Sequence, residues 1–380
     1  MQIREDALSK SLDELKFLFL SINEKPYRAK QLFEALHKKL ISDFNKITCF
    51  SETLKNKLAK ICKIQILAIR KIENSLDGTR KYQLETEDGN LIESVFIPNS
   101  AANGKNTLCI SSQVGCAMGC TFCATSKLKL KRNLKPSEII NQVYIIDKDL
   151  RSINWADNFS ESNKNNFNLS QDTRLIHNLV YMGMGEPLHN YENVLKSIKL
   201  LSAQEGQNYS GRRITVSTSG VVKNIQRLGI ETNVHIAISF NATSNDLRNE
   251  IMPINKKWPL EELVEACENF PSNNQRRITF EYVIIDKVND SNEDACRLAE
   301  WLKRIKCKVN LIAFNPHSLS SYKKPTLKRM MEFQDILLQK QISTFIRTTR
   351  GDDINAACGM LGSTDEKMAN NTVNQIELLK

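Results

Sequence analysis

Apolar positions along the chain change their spacing twice, and each regime predicts a different kind of structure. Up to residue 62 they recur at helical intervals. Leu32, Phe33, Leu36 and Leu40 fall between Pro26 and Ser42, the three-to-four spacing of one helical face. Ser11 can cap an earlier helix, with Glu14 at the reciprocal position of a capping box, and a third helix is expected over Ser51 to Ile61. From Ile64 to Ile97 the pattern becomes short alternating runs broken at Asp77-Gly78 and Asp88-Gly89-Asn90, which predicts a small antiparallel sheet. In its last run Leu91, Glu93, Val95 and Ile97 share a face by the two-residue period. Glu93 is therefore a marked carboxylate on an apolar face, and an edge-strand glutamate reaching water satisfies the same pattern.

After Asn106 the rhythm becomes strand, loop, helix, repeated. Apolar runs fall at Leu108–Ser111, Leu175–Met182, Ile214–Ser217, Val234–Phe240, Ile278–Ile285 and Val309–Phe314, with helical patterns such as Pro136–Asp149 and Asn292–Lys303 between them. Six β–α units predict an α/β fold, a parallel sheet covered by helices, here a partly open barrel. Loops at the carboxyl ends of its strands are where a site is expected. The organisation expected is a helical accessory region over 1–62, a small β extension over 63–101, a (βα)6 core over 102–346 and a carboxyl-terminal segment over 347–380. Arg151–Asp172 is polar and reads as a long surface loop, and the tail from Ser363 is polar too.

Charge and cysteine usage narrow the function classes. A formal net charge of +10 favours a polyanionic partner, nucleic acid first. No apolar run approaches the ~20 residues of a membrane span. Lys16–Leu20 is short, and Glu5, Asp6, Asp13 and Glu14 argue against a signal or transit peptide. Ten cysteines without an export signal imply a reducing, cytoplasmic setting in which they are ligands, reactive thiols or core residues.

Three of those cysteines carry the strongest chemical signal. Cys116, Cys120 and Cys123 form Cys-x3-Cys-x2-Cys, with Gly115 and Gly119 between and before them. Three thiolates from one loop can hold three irons of a four-iron cluster, leaving one iron open, where electron-transfer clusters use four. A zinc knuckle lacks a fourth ligand at finger-like spacing, and buried core thiols are a further reading. The motif resembles that of the radical S-adenosylmethionine (SAM) superfamily, which implies a partial (βα)6 radical SAM barrel and SAM bound at the open iron. That resemblance assigns the methionine amino group to the run holding Gly185 and Glu186. The later strand ends offer Ser217, Ser239, Phe240, Asn241 and Asn315 for the rest of the cofactor, although serine and asparagine also serve there as plain turn formers.

Cys109, the cysteine triplet, Gly183-Met-Gly-Glu-Pro187, Pro253-Ile-Asn-Lys-Lys257, and Arg350-Gly-Asp-Asp353 with Cys358 together resemble the RlmN family of bacterial 23S rRNA/tRNA adenine-C2 methyltransferases. The likeness runs nearly end to end from the Tyr27–Phe33 helix. It implies one [4Fe-4S] cluster on Cys116, Cys120 and Cys123, and two SAM molecules per turnover. One SAM methylates Cys358; the second yields a radical that activates that methyl group for attack on adenine C2. Glu93 is then the base, and Cys109 resolves the protein–RNA adduct by forming a disulfide with Cys358, with Cα atoms roughly 4.4–6.8 Å apart when bridged. Implied partners are 23S rRNA, tRNA and an electron donor such as flavodoxin or ferredoxin, with the protein a monomer. At one strand end the family pattern Ser-Leu-His-Ala is replaced by Ser239-Phe-Asn-Ala242. Other readings are a related C8-methylating ribosome enzyme, a non-catalytic iron–sulfur RNA-binding or electron-transfer protein in which Cys109 is a fourth ligand, and a glycyl-radical activase. Lys127, Lys129, Lys131, Arg132 and Lys135, with Lys256-Lys257, Arg276-Arg277 and Lys323-Lys324, are candidate phosphate contacts.

Overall fold

The computed structural model describes residues 4–99, 104–155, 174–271 and 276–362. The loop expected over Arg151–Asp172 lies outside the described residues from 156 onward, as does the tail from Ser363. The chain opens with β1 (Glu5–Asp6), which pairs in parallel with β2 (Cys62–Lys63) and so brings together the two ends of the helical region. Between them lie α1 (Leu12–Ser21), α2 (Tyr27–His37) and α3 (Glu52–Ile61). The expected capping box closes α1: Glu14 N–H donates to Ser11 Oγ at 3.2 Å and Ser11 N–H to the Glu14 carboxylate at 2.7 Å. α2 buries Leu32, Phe33 and Leu36, each contributing about 1.5–3 kcal/mol of apolar burial.

A meander follows, of β3 (Ala68–Asn74), β4 (Arg80–Glu85) and β5 (Leu91–Ile97), all antiparallel. Its turns fall at the two expected sites. Thr79 N–H donates to Asp77 Oδ1 at 2.9 Å, and Gly89 N–H to Thr86 O at 2.9 Å. β5 also pairs with β6 (Thr107–Cys109), so the extension is continuous with the main sheet. The edge-strand reading of Glu93 is therefore corrected. β5 has a neighbour on each side, and Glu93 is only 2% exposed.

Beyond β6 come β7 (Gln113–Val114), α4 (Ala124–Lys127), β8 (Arg132–Asn133), α5 (Pro136–Ser152), β9 (Asn178–Tyr181), α6 (Tyr191–Ser202), β10 (Ile214–Thr218) and α7 (Val222–Glu231). They are followed by β11 (His235–Ser239), α8 (Asn245–Ile251), α9 (Leu260–Glu268), β12 (Ile278–Ile284), α10 (Asn292–Leu302), β13 (Cys307–Ala313), α11 (Leu327–Gln339) and β14 (Thr344–Arg347). The ten-stranded sheet runs β14-β13-β12-β11-β10-β9-β6-β5-β4-β3, and every pairing from β6 to β14 is parallel. The six expected strands are all present. β14 is an unanticipated seventh, a four-residue edge strand with Phe345 exposed.

α5 is buried on most sides because it packs between the sheet and the amino-terminal helices. Asn141 Oδ1 accepts Leu67 N–H at 2.9 Å, and Tyr144 Oη lies 2.9 Å from His37 Nδ1. Gln142, further along the same helix, accepts from Ser111 N–H (2.7 Å) and Ser94 Oγ–H (2.8 Å). One fully buried amide thus joins β5 to the start of the cysteine loop.

Candidate active site

The cysteine loop leaves the carboxyl end of β6 and is joined to the loop after β9. Gly183 N–H donates to Ile110 O at 3.0 Å, Ser112 N–H to Met184 O at 2.9 Å, Met184 N–H to Ser111 Oγ at 2.8 Å, and Glu186 N–H to Gln113 Oε1 at 2.8 Å. This approach requires glycine at 185. Its φ is +98°, and a Cβ there would stand 2.5 Å from Gln113 Cβ.

The two loops form one wall of a pocket enclosing about 910 Å³ of space open to solvent. Cys116, Cys120 and Cys123 face it, as do Gly185 and Glu186. Ser217, Ser239, Asn241, Asn315 and Cys358 line the rest of it. Residues from across the chain thus converge as expected, with three exceptions. Phe240 turns its ring into the core, 5.8 Å from Phe280. Cys109 and Glu93 lie behind the pocket wall, nearly buried.

Burial pushes the Cys116 thiol up to about 12 and the Cys120 thiol well above the ordinary value, and their neighbours in the triplet add to both shifts. A bound metal reverses that preference, because coordination deprotonates a thiol outright. Among the described residues no three Cys, His, Asp or Glu side chains gather as a single metal ion needs. A cubane asks for something else, one thiolate per iron at separate corners, and three adjacent thiols opening into one cavity fit it. Glu186 is more fully engaged than its sequence context suggested. Its carboxylate accepts Ser219 N–H and Oγ–H, each at 2.7 Å, and Leu188 N–H at 2.9 Å. Burial raises its pKa and these bonds oppose the rise. These bonds take three of a carboxylate's roughly four acceptor sites, and the Thr218 hydroxyl also acts on it. Ser219 was not singled out in the sequence, although it stands two residues after Ser217 at the same strand end.

Cys358 is carried on a segment pinned along its length. Gly351 N–H donates to Asp77 Oδ2 (3.0 Å) and Leu76 N–H to Asp353 Oδ2 (3.1 Å). Lys81 Nζ donates to Ile354 O (2.6 Å), and Asn315 Nδ2 to Cys358 O (3.2 Å). Farther on, Ala124 N–H donates to Gly359 O (2.8 Å), Thr125 Oγ1–H to Leu361 O (2.8 Å), and Gly362 N–H to Glu93 Oε2 (2.7 Å). The Cys358 side chain is accessible through the pocket mouth but deep among protein atoms. Burial therefore raises its thiol pKa, against the pull of Arg347. Burial also raises the Cys109 thiol, and Cys358 is the next largest cause. The two thiols lie within electrostatic reach of each other.

They are not bonded. All ten cysteines are free, so the expected Cys109–Cys358 disulfide is not part of this fold. The physical reason lies in their placement: Cys109 is held inside the sheet, whereas Cys358 opens into the pocket. Two charged residues beside them carried no sequence signal. Arg347 at the end of β14 pairs with Glu281 of β12 at 3.4 Å, and its charge acts on both thiols.

Most of the candidate phosphate contacts are exposed, but two are structural. Arg132 pairs with Asp88 (2.6 Å) and Glu138 (2.8 Å), and Arg276 donates to Val234 O (2.9 Å). Lys256 and Lys257 follow the Pro253 segment, against which the cysteine loop packs through Thr121 N–H to Ile251 O (3.0 Å). No helix among the described residues is long and apolar enough to cross a membrane.

Residues 110–299 match the Radical SAM superfamily, and residues 6–64 match the Ribosomal RNA large subunit methyltransferase N-terminal domain. The chain is 42% identical to a "Dual-specificity RNA methyltransferase RlmN" of Anaeromyxobacter sp., over 95% of this chain and 91% of that protein. It is 40% identical to the protein of the same name from Geobacter sulfurreducens, over 97% and 95% of the two chains. A crystal structure of a radical SAM methyltransferase from Sphaerobacter thermophilus superposes with a TM-score of 0.85 at 36% identity, covering 94% of this chain and 99% of that one. A shared fold, a cysteine triplet opening into the pocket and near full-length identity converge: the chain belongs to the RlmN family of dual-specificity radical SAM RNA methyltransferases.

Proposed function

We propose that this enzyme methylates C2 of an adenosine in 23S rRNA and of the adenosine 3′ to the anticodon in tRNA, with Cys358 carrying the methyl group in between. The observation that supports the reading is the place of Cys358 on the wall of the cysteine-triplet pocket, within electrostatic reach of Cys109. Cys116, Cys120 and Cys123 hold one [4Fe-4S] cluster, and Gly185, Glu186, Ser217, Ser239, Asn241 and Asn315 hold SAM, two molecules being used per turnover. When bound, cluster and SAM supply one-electron chemistry able to break an unactivated C–H bond.

The chain's own groups divide the remaining work. The Cys358 sulfur accepts a methyl group as a nucleophile, and Arg347 favours its thiolate. Adenine leaves its stack to reach a pocket of this depth. Glu93 takes the C2 proton once the methyl carbon is attached. Cys109 and Cys358, apart in the resting fold, then come together as Cys109 attacks the Cys358 sulfur; the S–CH2 bond breaks, the freed carbon takes a proton to complete the methyl group, and the transient disulfide is reduced afterwards. Residues 1–62 and the exposed lysines contribute RNA binding, the electron donor is a flavodoxin or ferredoxin, and the enzyme works as a cytoplasmic monomer.

The test is anaerobic reconstitution with iron and sulfide, followed by assay with SAM and an rRNA or tRNA fragment, reading modified nucleosides by mass spectrometry. 2-Methyladenosine, lost in Cys358→Ala, is expected. 8-Methyladenosine would reassign the carbon, and unchanged product from Cys358→Ala would discard the carrier mechanism.

A further inference from the structure

We propose that Arg248 is a buried counter-charge for the iron–sulfur site, a positioning residue whose guanidinium fixes two strand ends and raises the reduction potential of a cluster held by Cys116, Cys120 and Cys123. The proposal rests on the cluster reading above, and on neither the RNA nor the carbon methylated.

Arg248 lies on α8 and is 0% exposed. Nε donates to Phe240 O (3.0 Å), Nη1 to Asn255 Oδ1 (3.0 Å), and Nη2 to Ser219 O (2.8 Å) and Ser239 O (3.1 Å). Every one of these acceptors is neutral. The ionisable groups that favour the guanidinium cation are the thiols of Cys120 and Cys267, and no carboxylate among the described residues pairs with it. A buried cation without an anion is one of the costlier arrangements a fold can hold, so its partner deserves to be identified.

The cysteine loop supplies one. It packs on the segment that begins with Arg248: Thr121 N–H bonds Ile251 O at 3.0 Å, and a Cβ on Gly119 would stand 3.4 Å from Pro253. The helix that carries the cation therefore backs directly onto the loop that carries the triplet. A cubane with three thiolates is net negative, and reduction by one electron makes it more so. A fixed positive charge in a low-dielectric interior favours the reduced form. The electron comes from an external one-electron donor; Arg248 itself is not oxidised or reduced and moves no proton. The same bonds hold Ser219, which fastens Glu186, and Ser239 on the pocket wall.

The test is an EPR-monitored redox titration of the full-length, anaerobically reconstituted chain without RNA. Arg248→Gln should shift the cluster midpoint to more negative potential at unchanged iron and sulfide content, while Arg248→Lys, which keeps the charge, stays near wild type. Asn255→Asp sets a carboxylate against the guanidinium and should shift the midpoint in the same direction, so it carries the test if Arg248→Gln does not fold. Cluster-loaded Arg248→Gln or Asn255→Asp with a wild-type midpoint would overturn the proposal. So would Arg248→Lys shifting as far as Arg248→Gln, since geometry and not charge would then be at work. A wild-type chain that takes up no cluster would instead overturn the reading of the cysteine triplet.

Discussion

Glu93 and Gly362 are 269 positions apart in the chain, yet the Gly362 N–H donates to Glu93 Oε2 at 2.7 Å in the interior. The carboxylate proposed as base is also a fastening of the segment that bears Cys358, the proposed methyl carrier. Glu93→Gln keeps an acceptor oxygen for Gly362 and removes the basicity. Amide exchange over 359–362 should stay near wild type, while RNA remains covalently attached and accumulates as a protein adduct on denaturing gels. Glu93→Ala should both speed that exchange and lower RNA methylation by at least ~100-fold. Wild-type turnover in Glu93→Gln would remove the base from Glu93.

Lys81 is 1% exposed and joins three partners: Ile354 O at 2.6 Å, Glu73 at 2.9 Å and Glu93 at 3.9 Å. Lys81→Met takes the cation from Ile354 O and from the buried Glu93, while Glu73 keeps Lys71 at 3.0 Å. Breaking a buried charge pair in this way costs about 3–5 kcal/mol, to be read as a lower urea midpoint with an unchanged slope. An unaltered midpoint would show that the partners rearrange around the loss.

Two charges act on Cys358 with opposite sign. Arg347 pulls its thiol pKa down and Glu281 pushes it up, on top of the rise from burial. Arg347→Gln should slow iodoacetamide alkylation of Cys358 near pH 8 and move the inflection to higher pH, while Glu281→Gln should do the reverse. Peptide mass spectrometry before iron is added gives both rates. Parallel changes in the two variants would mean that the loop has moved instead of its electrostatics.

His37 predicts an acid-labile contact between the amino-terminal helices and α5. Burial holds it near a pKa of about 3, against 6.5 when exposed, and its Nε2 has no partner. The unfolded chain therefore binds a proton below pH 6.5 that the folded chain refuses. The stability is present above that pH and is lost as pH falls from about 6.5 towards 3, by at most roughly 5 kcal/mol. Urea unfolding of wild type and His37→Gln at pH 7.5 and 4.5 should show a smaller loss in the variant.

Much of this architecture was legible in local spacing. The capping box at Ser11 and Glu14, the Asp77-Gly78 and Asp88-Gly89 turns and the six parallel strands each follow from neighbours in sequence. β14 was missed because Thr-Phe-Ile-Arg is short and leaves Phe345 in solvent, so it carries no apolar run. Glu93 was marked by its pattern, but nothing in that pattern shows that β6 pairs with β5 on its far side. Lys81, Arg248, Glu281 and Arg347 were invisible for a related reason. Each is defined by partners on other elements, and an isolated charged residue in a sequence looks like a solvated one.

The segment from Gly351 to Gly362 is tied to the β3–β4 turn at its start and to Glu93 and Thr125 at its finish. Cys358 is moored at close quarters too, its own carbonyl by Asn315 and that of the next residue by Ala124. The sulfur therefore keeps one address on the chamber wall, and whatever reacts with it has to be delivered there. A chemist wishing to slow this enzyme without touching a reactive atom would cut the rearmost mooring, at Asp77.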